Sequence, residues 1–333
     1  MYTAGITSSP GSRILVVRLG AMGDIVQTLP AVASLKHSFP GSTLTWLVEP
    51  KWAPLLEDNP FVDRIAILQR GGPGQVLASC RELREESYDF AVDFQGLVKS
   101  AIVASLARAE RIFGFHQSQA RERPAGLFYS SKIQSNSIHV VERALDLAAA
   151  AGAANILRTF PVPLGAREAV LPDEFVLASP VAGWRSKQWP LEYYAQLAVR
   201  LQQELGIPLV LNGPPDSADM LHGVAETLLA CTGVPGLIDA TRRATAVVGV
   251  DSGPMHLAAA LGKPGVAIFG PTDPARNGPC GDSMTVLRSP DAVTSYKRGS
   301  AIDPSMTLVT PDEVFAALKT QLTQRANSAG CFV

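Results

Sequence analysis

The chain has 333 residues, 47% of them apolar and 18% charged, with a net charge of −1. That length allows two domains, and the near-neutral balance gives no global case for a nucleic-acid partner. No apolar run reaches the roughly 18 residues that suggest a membrane span; Cys80, Cys231, Cys280 and Cys331 lie far apart without C-x-x-C spacing, which disfavours zinc and a disulfide framework and fits a reducing cytoplasm.

The opening MYTAGITSSPGS has no basic start and no apolar segment, so a loose tail is expected there and not a signal peptide. Ile14, Leu15, Val16 and Val17 predict a strand over 13–18. It breaks at Gly20-Ala21-Met22-Gly23, and a helix is expected over 25–38. Strand, glycine loop and helix usually make a phosphate site. The spelling here is neither G-x-G-x-x-G nor a Walker loop, and Asp24 would repel a phosphate. Asp24 and Gln27 have capping-box spacing, with Asp24 as N-cap.

Further strands are expected at 43–48, 64–68 and 89–94, with helices between them such as 75–87 and 140–151. Three prolines in 158–172 mark a seam between a domain at 13–160 and one at 170–325. The second half again alternates, with strands expected at 175–179, 207–211, 236–238, 246–250 and 265–269. Such alternation argues α/β architecture with parallel sheets covered by helices. Two Rossmann-like domains facing each other are expected, with ligands at the strands' carboxyl ends in the cleft between them. One place resists: residues 239–245 alone separate two expected strands, and a parallel crossover needs about a dozen residues or more. Either that connection is not a standard crossover, or a helix is missing.

In VVGVDSGPMHLAAALGKPG the strand ends at Asp251, Pro254 suits the first helical position and Gly262 the residue past the helix end. Gly253 is then the N-cap. It has no capping side chain, so the amide groups there are free for an anion. His256 adds a donor in the first turn, and Gly270-Pro271-Thr272 makes a second small loop at a strand end. The functional reading is a diphosphate held by amides and cations.

Four stretches in order, RLGAMGDIVQTLPA, DFQGLVKSA, WRSKQWP and VDSGPMHLAAALGKPGVAIFGPTDPARNGP, resemble the lipopolysaccharide heptosyltransferases, glycosyltransferase family 9, and within it the heptosyltransferase I branch. The resemblance covers about residues 13 to 320. It implies a GT-B fold, two Rossmann-like domains with the active site in the cleft. It implies an inverting, metal-independent transfer of L-glycero-D-manno-heptose from ADP-heptose to the Kdo sugar of nascent lipopolysaccharide, with no cofactor. It puts the general base on Asp24, which would take the acceptor hydroxyl's proton. Cap and base compete for that carboxylate unless only one oxygen caps. It puts donor binding on Lys187, Asp251, Ser252, Gly253, His256, Gly270 and Pro271, with Arg185 assisting, because a departing ADP must be met by cations and amides. It puts acceptor binding on Gly23, Lys99 and Arg121. The stretch 99–132 also holds Arg108, Arg111, Arg123 and Lys132 against Glu110 and Glu122, which suits an anionic acceptor of the Kdo-lipid A type. A lipid-bearing acceptor implies peripheral work at the cytoplasmic face of the inner membrane, by charge, since no amphipathic anchor is evident.

Two departures from the family stand out. Relatives carry a helix between the strand of GLIDA and VVGVDSG, beside the nucleotide pocket; here it is expected to be absent or shortened. The family also has an acidic residue in the loop corresponding to 211–219 that contacts the nucleoside, and Asp216 and Asp219 are the candidates. Another sugar-nucleotide enzyme of this fold, with a different donor or epimerase chemistry, is the alternative. A non-enzymatic two-lobed sugar-binding protein would usually carry a secretory signal or DNA-binding headpiece. Cys331 is third from the end, so no C-a-a-X lipidation pattern is expected.

Overall fold

The apolar runs become strands of two parallel sheets, because a parallel strand is covered on both faces and needs apolar side chains on both. The computed structural model describes residues 11–329, with side chains through residue 323; the expected tail at 1–10 and Cys331 lie outside the described residues. The chain divides into two units, Met1–Pro163 and Leu164–Val333.

The first unit runs β1 (Arg13–Val17), α1 (Met22–Ser38), β2 (Thr43–Val48), β3 (Arg64–Ile67), α2 (Pro73–Leu83), β4 (Tyr88–Asp93), α3 (Val98–Leu106), β5 (Ala109–Phe115), β6 (Ser131–Ile133) and α4 (Val140–Ala150). The second runs β7 (Val176–Ser179), α5 (Leu191–Leu205), β8 (Leu209–Leu211), α6 (Ala218–His222), β9 (Leu228–Leu229), α7 (Val234–Arg243) and β10 (Ala246–Val250). It continues with α8 (Gly253–Ala260), β11 (Gly265–Phe269), α9 (Pro274–Asn277), β12 (Met284–Arg288), α10 (Pro304–Thr307) and α11 (Pro311–Ala329).

The sheets follow one plan, β3-β2-β1-β4-β5-β6 in the first unit and β12-β11-β10-β7-β8-β9 in the second. In each, the strand order reverses beside the unit's first strand, between β1 and β4 and between β7 and β10. There the loops leaving neighbouring strands turn to opposite faces, and a crevice opens beyond the carboxyl ends. Ile14, Leu15, Val16 and Val17 in β1, and Val248 and Val250 in β10, are fully buried; each contributes about 1.5–3 kcal/mol by leaving water. Trp189 is also buried, and its indole N–H donates to the Val309 carbonyl at 2.8 Å. Its ring packs edge-on against Tyr193 and Tyr194, which anchors the WRSKQWP loop in the second core.

The structure corrects the sequence reading at three points. Residues 236–238 are not a strand: they lie inside α7, and the strand before it is the two-residue β9. The crossover helix between β9 and β10 is therefore present, and the supposed gap at 239–245 was half of that helix. Leu237, Ile238, Ala240 and Thr241 are buried, a helical spacing that a short apolar run hides. Second, Asp24 is not an N-cap. The helix α1 starts at Met22 with Ala21 as cap, so Asp24 is its third residue and Gln27 lies further inside. Third, the cap of α8 is Ser252, with Gly253 and Pro254 as the first two helical residues. Gly262 takes φ +64° just past the end of α8, the left-handed conformation expected there.

Candidate active site

At the first switch point the glycine loop is held from β4. Asp93 ends β4 fully buried and accepts from the backbone N–H of Gln95 at 2.8 Å and of Gly96 at 3.2 Å. Its other oxygen lies 2.8 Å from the hydroxyls of Ser100 and Tyr129. Burial nevertheless pushes the Asp93 carboxyl above its ordinary range, because these donors are all neutral. The turn it fixes presents the Gln95 side-chain oxygen to the N–H of Leu19 at 3.0 Å and of Gly20 at 3.4 Å. Arg18 donates to the Phe94 carbonyl from the same side.

This frame presents Asp24 at the start of α1, with its side chain 31% exposed. Arg18 Nη2 lies 3.1 Å from its Oδ1, and Arg121 Nη1 lies 3.3 Å from its Oδ2. The Ala21 N–H donates to Oδ2 at 3.3 Å. Only that oxygen caps, and the bond is long. Burial lowers the Arg18 guanidinium from its ordinary value, and the Asp24 carboxylate opposes that shift. Gly23 is buried within the same first turn. Arg121 follows the loop against Gly96: a Cβ on that glycine would stand 3.1 Å from the Arg121 nitrogen, and its φ is +67°. Lys99, in the first turn of α3, is 3.9 Å from Glu49, which also pairs with Arg70 at 2.5 Å. Burial, then the Arg70 charge, lowers the Lys99 ammonium. The structure thus brings Gly23, Asp24 and Arg121 together and sets Lys99 in a separate ion-pair cluster with Glu49 and Arg70.

At the second switch point Asp251 follows β10 and is nearly buried. Lys187 Nζ lies 2.6 Å from its Oδ2, and His256 Nε2 lies 3.5 Å from its Oδ1. Burial alone would raise this carboxyl. The His256 hydrogen bond and the Lys187 charge outweigh it and hold Asp251 well below the usual carboxylate range. Lys187 also stands 4.4 Å from the centroid of the Trp184 ring. Gly270 and Pro271 follow β11: the Gly270 carbonyl accepts from Arg288 at 3.0 Å, and a Cβ on Gly270 would collide with Met306 and Ser305. Three buried hydroxyl oxygens, of Ser186, Ser252 and Thr272, find no hydrogen-bond partner among the described residues. They belong to the loops after β7, β10 and β11, which are neighbours in the sheet. Buried polar atoms of this kind cost free energy unless something pairs with them.

Arg185, Asp216 and Asp219 are exposed. The sequence reading passed over Arg18, Asp93, Gln95 and Tyr129. One signal for the middle pair was legible: DFQG puts two polar side chains where an apolar strand ends. Among the described residues no group of three or more His, Cys, Asp or Glu side chains is placed to hold a metal ion. No helix there is long and apolar enough to cross a membrane.

Two Rossmann-like units, each with a carboxylate held by cationic side chains at the switch point of its sheet, define an α/β protein of doubly wound parallel sheets. The sequence profile described as glycosyltransferase family 9 (heptosyltransferase) matches residues 76–303. Lipopolysaccharide heptosyltransferase 1 of Escherichia coli strain K12 is 30% identical over 309 residues, covering 84% of this chain and 94% of that protein. The solved structure of E. coli heptosyltransferase WaaC with ADP superposes with a TM-score of 0.75 at 26% identity, covering 93% of this chain and 99% of that one. A glycosyl transferase family 9 structure from Veillonella parvula DSM 2008 has the same fold, with a TM-score of 0.81 at 21% identity, covering 94% of this chain and 98% of that one. The chain belongs to glycosyltransferase family 9, the heptosyltransferases, and is a glycosyltransferase of GT-B fold.

Proposed function

We propose that this enzyme moves L-glycero-D-manno-heptose from ADP-heptose to the Kdo sugar of a lipopolysaccharide inner core, with inversion and without a metal. The observation that carries the reading is the cluster at the second switch point. There Lys187 is fixed on a deprotonated Asp251 beside His256. Cations and the amides at the start of α8 suit a diphosphate. Two relatives support ADP and heptose in particular, since one is named a lipopolysaccharide heptosyltransferase and the other was solved with ADP.

In the transfer, the acceptor hydroxyl oxygen attacks the anomeric carbon and Asp24 takes its proton. The bond from that carbon to the diphosphate breaks, and its electron pair leaves on ADP. Lys187 and the α8 amides stabilise the growing negative charge. Asp251 would repel phosphate, so it orients Lys187 and His256 or bonds sugar hydroxyls; Ser252, Gly253, Gly270 and Pro271 shape the donor loops. Arg121 and Lys99 pair with carboxylate or phosphate groups of the acceptor, with Gly23 giving the acceptor room near Asp24. A lipid-bearing acceptor places the work at the cytoplasmic face of the inner membrane, held peripherally by charge.

A thermal-shift titration with ADP, UDP, GDP and NAD tests the donor. A ligand at about 100 times its Kd adds roughly 2.7 kcal/mol. ADP alone is expected to stabilise the chain, and a preference for UDP or GDP would point to another sugar-nucleotide enzyme. Transfer from ADP-heptose to a Kdo-bearing lipid A, undiminished by a chelator, is the expected second result; no transfer would overturn the proposed acceptor chemistry.

A further inference from the structure

The segment 289–303 follows β12 and precedes α10, and the sequence reading gave it no role. It is tied down at both ends of the candidate donor site. At one end Arg288 donates to the carbonyls of Gly270 at 3.0 Å and Ala292 at 3.2 Å, and to the Thr294 hydroxyl at 2.9 Å. The Ser295 N–H donates to the Pro271 carbonyl at 2.6 Å. At the other end the Asp303 N–H donates to the Ser186 carbonyl at 3.3 Å. Gly299 passes so close to that turn that a Cβ would stand 3.1 Å from the Ser186 side chain. Pro271 follows β11 and Ser186 follows β7, and β10 lies between these strands in the sheet. The segment is therefore a strap across the end of β10, where Asp251 and Ser252 stand.

The strap carries a cation to this place. The Arg298 guanidinium carbon lies 5.5 Å from the centroid of the Trp184 ring, the ring that Lys187 approaches at 4.4 Å. The two cations are thus no more than about 10 Å apart. Their situations differ. Lys187 is paired with Asp251 at 2.6 Å, which offsets part of its charge. Arg298 has no carboxylate partner among the described residues, and Asp303, near it in sequence, spends its carboxylate on the cap of α10. A diphosphate meeting the Lys187–Asp251 pair would find less net positive charge than a free lysine offers. A guanidinium resting on an indole is held in orientation, and its planar fork matches phosphate oxygens.

Resting on the donor reading above, we propose that Arg298 on this strap is a second ligand of the donor's diphosphate, adding positive charge beside Lys187, which shares its own with Asp251. The strap's two attachments, at Pro271 and at Ser186, hold Arg298 on the Trp184 ring beside Lys187.

Calorimetric titration of the full chain with ADP and with adenosine tests this. Arg298→Gln is expected to weaken ADP binding about tenfold or more, as loss of a charged hydrogen bond does, while adenosine affinity stays unchanged. Arg298→Lys should recover part of the loss, because it restores charge without the fork. Lys297→Gln, removing the neighbouring exposed cation that has no contact with the ring, should leave ADP affinity within about twofold. Unchanged ADP affinity in Arg298→Gln would overturn the proposal. So would an equal loss for adenosine, which would make the strap a wall of the pocket and not a phosphate ligand, or an equal loss in Lys297→Gln. Failure of the wild-type chain to bind ADP would instead remove the donor reading itself.

Discussion

Both units end a central strand with a buried acid, and the two acids are driven in opposite directions. Asp93, after β4, is raised by burial although four donors surround it. Asp251, after β10, is also buried, yet it is lowered by His256 and Lys187. The partners make the difference. Hydroxyls and amides solvate a carboxylate but bring no charge, so they only partly offset the loss of water; an ammonium and an imidazole bring charge as well. The consequence is a division of labour. Asp93 is a brace that fixes the turn through which Gln95 and the Phe94 carbonyl hold the glycine loop and Arg18. Asp251 is a socket that holds the Lys187 ammonium beside His256. The residue we propose for the chemistry in the first unit is neither of these but Asp24, partly exposed on the frame that Asp93 braces.

Removing that third carboxylate should have the largest effect. Asp24→Ala is expected to lower turnover by about 10²-fold or more while leaving donor affinity nearly intact. A loss under about fivefold in steady-state kcat would reduce Asp24 to a helix-start residue.

The socket comes next. Asp251→Asn strands Lys187 in a nearly buried site and should cost about 3–5 kcal/mol of stability in denaturant unfolding. Because folding lowers Asp251, its contribution is present above the unfolded carboxylate value of about 3.9 and is lost as pH falls below it. The wild-type chain should therefore lose stability more steeply than Asp251→Asn in that acid range. Equal slopes would mean that the Lys187 pair does not hold the carboxylate charged.

Lys187→Ala should weaken ADP binding by about 10- to 100-fold, the range expected for a lost charged contact. Calorimetry reads this directly, and unchanged affinity would take Lys187 out of the phosphate site. The brace should show the smallest effect and the opposite sign with pH. Asp93→Asn is expected to cost about 1–3 kcal/mol, since an amide cannot accept from all four donors. Because folding raises Asp93, its linked stability is present below about pH 3.9 and is lost as pH rises through the higher folded value. If Asp93→Asn and Asp251→Asn changed the pH profile in the same direction, the contrast between brace and socket would fail.

Much of this was legible before any coordinates. The strands at Thr43–Val48, Ala246–Val250 and Gly265–Phe269 appear as read from the sequence, because strands buried on both faces are dense in apolar and β-branched residues. The residues of VDSGPMH and WRSKQWP were marked as donor candidates, and the structure joins Asp251, His256 and Lys187 in one cluster. Other features were hidden for physical reasons. β9 is a two-residue exposed edge strand with no run to detect, so the apolar stretch after it was taken for a strand and its helix seemed to be missing. The cap of α1 fell on Ala21, which has no capping side chain to announce it.

The sequence by itself determined the alternation of strands and helices, and with it the parallel sheets, since burial on both faces and helical spacing are local properties of neighbouring residues. It also determined which short motifs hold charged side chains at strand ends. Only the tertiary structure decided which charges meet. Lys187 and Asp251 are 64 positions apart, and Arg121 and Asp24 are 97 apart. Those pairs exist because the strand order reverses beside β1 and β7, and nothing in the local spacing of either partner encodes that reversal.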